Sequence, residues 1–396
     1  MKILHNVSSV GKASFGLGQI SVNLARAQYS FGHDVSMWCL DNDENIKWAA
    51  ASHDFPSKRI TGFVPAGPLN IWFSPKIKKY AIKNANGFFD IVHQHGIWTG
   101  VSLATLSFSQ KKKIPTIIAP HGSLNQWALN LSPWKKKIAL ALYERDNLRL
   151  ASCLHATSEN EISDFRNFGL KNPIAYIENG IQEKNLSVVG NATRFREHNG
   201  IPGNKRILFF LSRISPKKGL VMLVEAINSI QDDFADWVLI IAGNDEFNHK
   251  KDVESLVKQL NLENKIRILN PLFGSEKDDA FAAAELFILP SHSEGSPMVV
   301  LDSLAAGVPV ITTKASTWSD LNEYKCGWWT DISTQAIATA LHEAVVMSVD
   351  DLQEMGIQGK KLIAAKYTWP RLAQKTMRLY NWLLGNEEKP DFVILD

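Results

Sequence analysis

The chain has 396 residues, more than one ordinary core holds, because single cores stop growing near ~250–300 residues; two domains are expected. With 45% hydrophobic and 21% charged residues it reads as globular, and no apolar run reaches the ~18–20 residues that span a bilayer. The net charge of +3 is uneven: residues 1–180 hold 20 Lys and Arg against 12 Asp and Glu, a net of +8, leaving −5 for the rest, so the first half is expected to meet an anionic surface or ligand.

The opening MKILHNVSS has too short an apolar run for a signal peptide. Cys39, Cys153 and Cys326 form no CxxC pair and no metal pattern, so they are expected as plain core thiols in a reducing compartment. From the N-terminus, β-rich runs at Lys2–Val7, Asp34–Leu40, Asp90–Gln94, Pro115–Pro120, Cys153–Thr157 and Ile174–Ile177 alternate with helical runs such as Gly18–Phe31 and Lys135–Ala151. Alternation of this kind predicts a parallel sheet with helices on both faces. Ligands of such sheets sit beyond the carboxyl ends of the strands, so the loops after strands are the places to look.

After the first strand comes Gly11-Lys-Ala-Ser-Phe-Gly-Leu-Gly18, where glycines and a helix N-terminus suit an anion, or simply make a tight turn. His93 and His95 in Val92-His-Gln-His-Gly96 fall on one face of a strand, but no carboxylate or Cys cluster completes a metal site, and none is expected. His121, in Ala119-Pro-His-Gly-Ser-Leu124, is a structural loop residue or a partner for a sugar hydroxyl. Basic stretches at Lys76–Lys79, Lys111–Lys113 and Lys135–Lys137 lie near Trp72, Phe73, Trp127 and Trp134. They are either solvated helix faces or a site of peripheral contact with an anionic membrane.

The polar segment Glu183–Asn204 reads as a linker. A second series then starts at Arg206–Leu211 and continues with Trp237–Ala242, Ile266–Leu269, Leu286–Leu289 and Val308–Thr312, closed by a helix near Trp369–Leu384. In Leu211-Ser-Arg-Ile-Ser-Pro-Lys-Lys-Gly219, Arg213 and Lys218 are placed to clamp a diphosphate, though a solvated basic turn has the same composition. In Leu289–Asp302, Glu294 precedes a helix expected near Pro297, either as a helix cap or as a partner for hydroxyls. Asp302 lies eight residues on, within an apolar run that a solvated face does not explain. Base selectivity is expected near Gly243-Asn244-Asp245 and Asn270-Pro-Leu272.

Together these loops resemble the large retaining glycosyltransferase family 4, with the GT-B fold. The match is carried by SRxxxxKG at Ser212–Gly219 and by the EGxPxxxLD–AAGxPV block at Glu294–Val310, about 80 residues apart, with Asn179-Gly180 closing the first domain. His121-Gly-Ser-Leu-Asn-Gln-Trp-Ala-Leu129 and His155-Ala-Thr-Ser-Glu159 resemble a subgroup met in bacterial capsule, exopolysaccharide and lipopolysaccharide assembly. The resemblance implies two doubly wound Rossmann-like domains facing each other across a cleft. The first, residues 1–190, would bind the acceptor, and the second, 200–368, the donor, with a helix near 370–388 packing back on the first.

It also implies roles. Arg213 and Lys218 would neutralise the diphosphate, Glu294 would hold hydroxyls of the transferred sugar, and Asp302 would bond the ribose where the family usually has a second Glu. Gly16 would admit the phosphates, and His121 would sit beside the donor sugar. The backbone amides of Gly295, Ser296, Met298 and Val299, with Asn244 and Leu272, would complete the nucleotide site. The expected chemistry is retaining transfer of a hexosyl unit from a UDP- or GDP-sugar to a lipid-linked or saccharide acceptor, without metal or other cofactor. The rivals are a GT-B nucleotide-sugar epimerase and a nucleic-acid-binding protein, the latter without any RNA-binding or zinc motif to support it.

Overall fold

The computed structural model describes residues 1–65, 74–84 and 88–395. Trp72 and Phe73 lie outside the described residues. The chain divides into two compact units, residues 1–180 with 369–396, and residues 181–368.

The first unit is built on β1 (Lys2–Val7), β2 (Asp34–Cys39), β3 (Ile60–Gly62), β4 (Ile91–His95), β5 (Thr116–Ala119), β6 (Cys153–Ala156) and β7 (Ile174–Tyr176). These seven strands are parallel in the order 3-2-1-4-5-6-7, and a short antiparallel strand, Val393–Ile394, borders β7. Most of their side chains are buried on both faces, as in a parallel sheet covered by helices on each side. Strand order reverses between β1 and β4, the place where such folds open a ligand crevice. The helix Phe15–Ser30 packs on Trp369–Leu383, so the last long helix completes this unit.

The run expected as one helix from Lys135 to Ala151 is broken. Helix Pro133–Ala139 passes into a π-turn, Leu140–Glu144, and resumes as Arg145–Leu150. Glu144 is buried there and accepts from the Trp98 amide, Ser102 Oγ and Asn147 Nδ2, each at 2.8 Å; burial raises its pKa. Those three donors satisfy a carboxyl that would otherwise be costly to bury.

The second unit holds β8 (Arg206–Leu211), β9 (Trp237–Ala242), β10 (Ile266–Leu269), β11 (Leu286–Leu289), β12 (Val310–Thr313) and β13 (Gly327–Thr330), all parallel, in the order 10-9-8-11-12-13. Its reversal falls between β8 and β11. The segment Glu183–Asn204 is not a linker. Asn191 caps a helix, Ala192–His198, by accepting from the Arg194 amide at 2.9 Å, and Phe195 is buried beneath it. Arg194 pairs with Asp279 at 2.5 Å and Arg196 with Glu285 at 3.2 Å, so the polar composition belongs to caps and ion pairs. Residues 181–190, expected with the first domain, belong to this unit, where the Ile181 amide donates to the Tyr367 carbonyl at 2.8 Å.

Candidate active site

The loop after β8 is fixed on two sides. Toward β9, the Ile214 amide donates to the Asn244 carbonyl at 2.7 Å, and the Glu246 amide to the Ile214 carbonyl at 2.9 Å. Only glycine fits at 243, because a Cβ there would stand 1.6 Å from the Ser212 carbonyl oxygen. Toward β11, the loop turns at Gly219, whose φ of +70° and closeness to the Pro290 carbonyl, 2.0 Å from a built Cβ, again admit no side chain. The His292 amide donates to the Lys217 carbonyl at 2.8 Å and joins the two loops.

This places charge at the switch point. Lys218 is buried, and its Nζ lies 2.5 Å from Glu294 Oε1, which also accepts from Ser291 Oγ at 2.5 Å. Arg213 is about half exposed and reaches both carboxylate oxygens of Glu246, at 2.8 and 3.0 Å. Lys217 completes the group: burial lowers its pKa, Glu294 opposes that, and Lys218 and Arg213 add to it. Three cations therefore gather where two strands diverge, with Glu294 among them.

Beside them starts the helix Met298–Ala306. Pro297 is its N-cap and no side chain caps it, so Glu294 is not the cap. Orphan amides at Met298 and Val299 leave an anion-binding end, and a Cβ on Gly295 would meet nothing within 4 Å. Ser296 is half-buried in the same approach. Asp302 lies further along this helix, where Lys277 Nζ holds it at 3.0 Å. Leu272 helps line a cavity of about 510 Å³ with Asn270, Arg194 and Glu276.

In the first unit, Gly16 sits in the first turn of Phe15–Ser30, and a Cβ there would meet nothing nearer than 4.0 Å. His121 follows β5 at φ +52° and is half-buried, its Nε2 3.3 Å from His95 Nδ1. His95 belongs to a larger group. His5 on β1 faces His93 on β4 in register, His155 comes from β6, and the rings of His93 and His95 stack at 4.4 Å. His5, His93 and His95 bring ring nitrogens within 4.8 Å of one another, so the HxH pair has a third imidazole beside it. Burial holds every ring neutral: His5 and His155 are lowered to about 4, His121 to about 3, and His93 and His95 well below the ordinary value.

Residue-level reading missed Glu246, Ser291 and Lys277, the partners of the expected ligand groups. Ser291 was within reach, three residues before Glu294 on one loop; Glu246 comes from the loop after β9 and Lys277 from the helix Ser275–Ala283, and neither leaves a local mark.

Against known proteins, a family model described as "Glycosyltransferase Family 4" matches residues 16–184, and one described as "Glycosyl transferases group 1" matches 191–362. Between them they take in most of the chain. The chain belongs to the group 1 glycosyltransferases. This member is 28% identical to a D-inositol 3-phosphate glycosyltransferase of Corynebacterium urealyticum, over 46% of its own length and 45% of the relative's. It is 22% identical to the GDP-mannose:cellobiosyl-diphosphopolyprenol alpha-mannosyltransferase of Komagataeibacter xylinus, over 97% of its length and 94% of the relative's. Its fold is GT-B: the structure of Anabaena HepE in complex with UDP matches 96% of this glycosyltransferase and all of HepE, with a TM-score of 0.74 at 18% identity.

Proposed function

We propose that this glycosyltransferase moves a hexosyl unit from a nucleotide-diphosphate sugar to a lipid-linked or saccharide acceptor in bacterial surface-polysaccharide assembly, with retention and without a metal. The observation that carries the reading is the grouping of Lys218, Lys217 and Arg213 with Glu294 at the reversal between β8 and β11. Cations there, with the free amides of Met298 and Val299, meet a pyrophosphate as it gains charge, the electrostatic help a divalent ion gives elsewhere. Glu294 exchanges Lys218 for hydroxyls of the sugar. Asp302 takes the ribose and Leu272 the base, with the loop of Asn244 alongside. Gly16 leaves room for phosphate.

With Glu294 assigned to the sugar hydroxyls rather than to attack at C1, the sugar C1–phosphate bond breaks as the acceptor oxygen bonds C1 on the same face, and the leaving phosphate takes the acceptor proton. Relatives that use GDP-mannose and a fold neighbour solved with UDP support a UDP- or GDP-sugar. The test is a thermal-shift screen of UDP-, GDP-, ADP- and dTDP-sugars, followed by turnover with EDTA. A shift with one donor and full turnover in EDTA are expected; no shift with any donor, or loss in EDTA, sinks the corresponding part.

Acceptor delivery from an anionic bilayer is part of the proposal. Trp127, Leu131, Trp134, Ile138 and Leu142 recur at three- and four-residue spacing and are all exposed, Leu142 by 74%. Lys135 and Lys137 are exposed among them, while Lys136 is tied to the Ala128 carbonyl. Apolar anchors flanked by lysines suit the headgroup boundary on the cytoplasmic face, and no described helix is long and apolar enough to cross it.

A further inference from the structure

A neutral imidazole has one N–H and one bare nitrogen, so a hydrogen-bonded row of them must point one way. One such row takes its direction from Ile177. Its carbonyl only accepts, so His155 donates from Nε2 at 2.7 Å and keeps Nδ1 bare. His93 must then donate from Nε2 to His155 Nδ1, at 3.2 Å, and its own Nδ1 accepts from the Tyr380 hydroxyl at 2.7 Å. The Tyr380 oxygen is left as an acceptor. Gln28 lies beside it, but its Nε2 has no hydrogen-bond partner among the described residues, so this first row stops at Tyr380. A second row starts at Gln28, whose Oε1 faces His5 and accepts from its Nε2 at 2.7 Å. His5 Nδ1 therefore accepts from His95 Nε2 at 2.9 Å, and His95 Nδ1 from His121 Nε2 at 3.3 Å. The row ends there: His121 Nδ1 has no partner among the described residues and is not among the buried unpartnered atoms.

We propose that this second row is a positioning device: the Gln28 side-chain carbonyl, relayed through buried His5 and His95, holds His121 as the Nε2–H tautomer, so that Nδ1 is a bare acceptor for a hydroxyl of the saccharide ligand. The ligand's identity rests on the proposed function; the tautomer does not. His5, His95 and Gln28 are positioning residues acting through His121. A metal at His5, His93 and His95 fits less well. Two ligand nitrogens on a tetrahedral zinc stand about 3.3 Å apart, whereas His5 Nδ1 and His95 Nε2 are at 2.9 Å, a separation that holds a shared proton.

The test is side-chain NMR of the full chain labelled with ¹⁵N,¹³C-histidine. In the free protein at pH 7, His5, His93, His95, His121 and His155 should all show the neutral Nε2–H pattern, with His121 assigned through His121→Asn. Gln28→Leu should leave the fold intact by circular dichroism yet give His121 as a mixture of tautomers, whereas Gln28→Glu, which keeps an acceptor for His5, should hold the single tautomer. In Gln28→Leu, kcat/KM should fall about tenfold through KM, the range in which supporting residues act. The Nδ1 resonance of His121 should move when donor or acceptor saccharide is added. An Nδ1–H or charged His121 at pH 7, an unchanged tautomer in Gln28→Leu, or equimolar zinc shifting the His5, His93 and His95 signals together would each overturn the proposal. Failure of the nucleotide-sugar reading shows separately, as absence of any donor thermal shift, and leaves the free-protein spectra to decide the tautomer.

Discussion

The two sheets reverse strand order in the same way, and the two reversals hold opposite chemistry. Between β8 and β11 stand an ion pair and two further cations, Lys218 with Glu294 and Lys217 near Arg213. Between β1 and β4, and reaching to β6, stand buried histidines without charge. One crevice is built to meet a formal charge and the other to present a neutral polar atom. The contrast shows that the topology supplies a place and the side chains alone decide what it binds.

The sharpest break of this contrast is at the charged end. Arg213→Ala and Lys218→Ala should each cut kcat by about 10²–10³, the scale of losing a preorganised donor to developing charge, measured as nucleoside diphosphate release. His121→Ala should cost only about tenfold, because it removes one neutral contact; equal losses at both ends would erase the distinction.

Stability should separate them next. Lys218→Ala leaves Glu294 buried and unpaired and should destabilise the second unit by about 3–5 kcal/mol, and Glu294→Gln placed on top should restore part of it. Urea unfolding of the single and double variants checks this. The histidines answer to acid instead. Their folded pKa values lie below the 6.5 of a free ring, so between pH 6.5 and about 4 the unfolded chain binds protons that the folded chain refuses. Stability of the first unit should be full above pH 6.5 and fall through that window, by up to about 1.4 kcal/mol per pH unit for each ring. Buried Cys39 and Cys153 report on this unit and Cys326 on the other, so a thiol probe active in acid should find the first two exposed earlier in urea at pH 5 than at pH 7. The smallest effect is at the surface: Trp134→Glu should weaken binding to anionic liposomes at low salt and leave turnover on a soluble acceptor unchanged.

Much of this was legible in the residues. Strands such as Arg206–Leu211 and Trp237–Ala242 are continuous apolar runs bounded by turns, and the ends read from the sequence match. Arg213, Lys218 and Glu294 stood out because their loops carry charge directly after such runs. What escaped was either short or non-local. β3 and the strand Val393–Ile394 have three and two residues, too few for a period to show. The helix Ala192–His198 hid in polar sequence because one buried residue, Phe195, anchors it. His5, His155, Gln28 and Tyr380 meet His93 and His95 only through parallel pairing and helix packing, and separations such as the 287 residues from His93 to Tyr380 leave no trace in a local pattern.

That last contact bears on the order in which the polypeptide is assembled. The helix Trp369–Leu383 belongs to the first unit, yet the whole of the second is translated before it. A nascent chain leaving the ribosome can thus finish its later half while the earlier one still lacks a face, with His93 waiting for its phenol. Such a discontinuous arrangement slows maturation and lengthens the time that apolar strands stay uncovered. It also ties completion of the row through His155 and His93 to the arrival of the C-terminal segment.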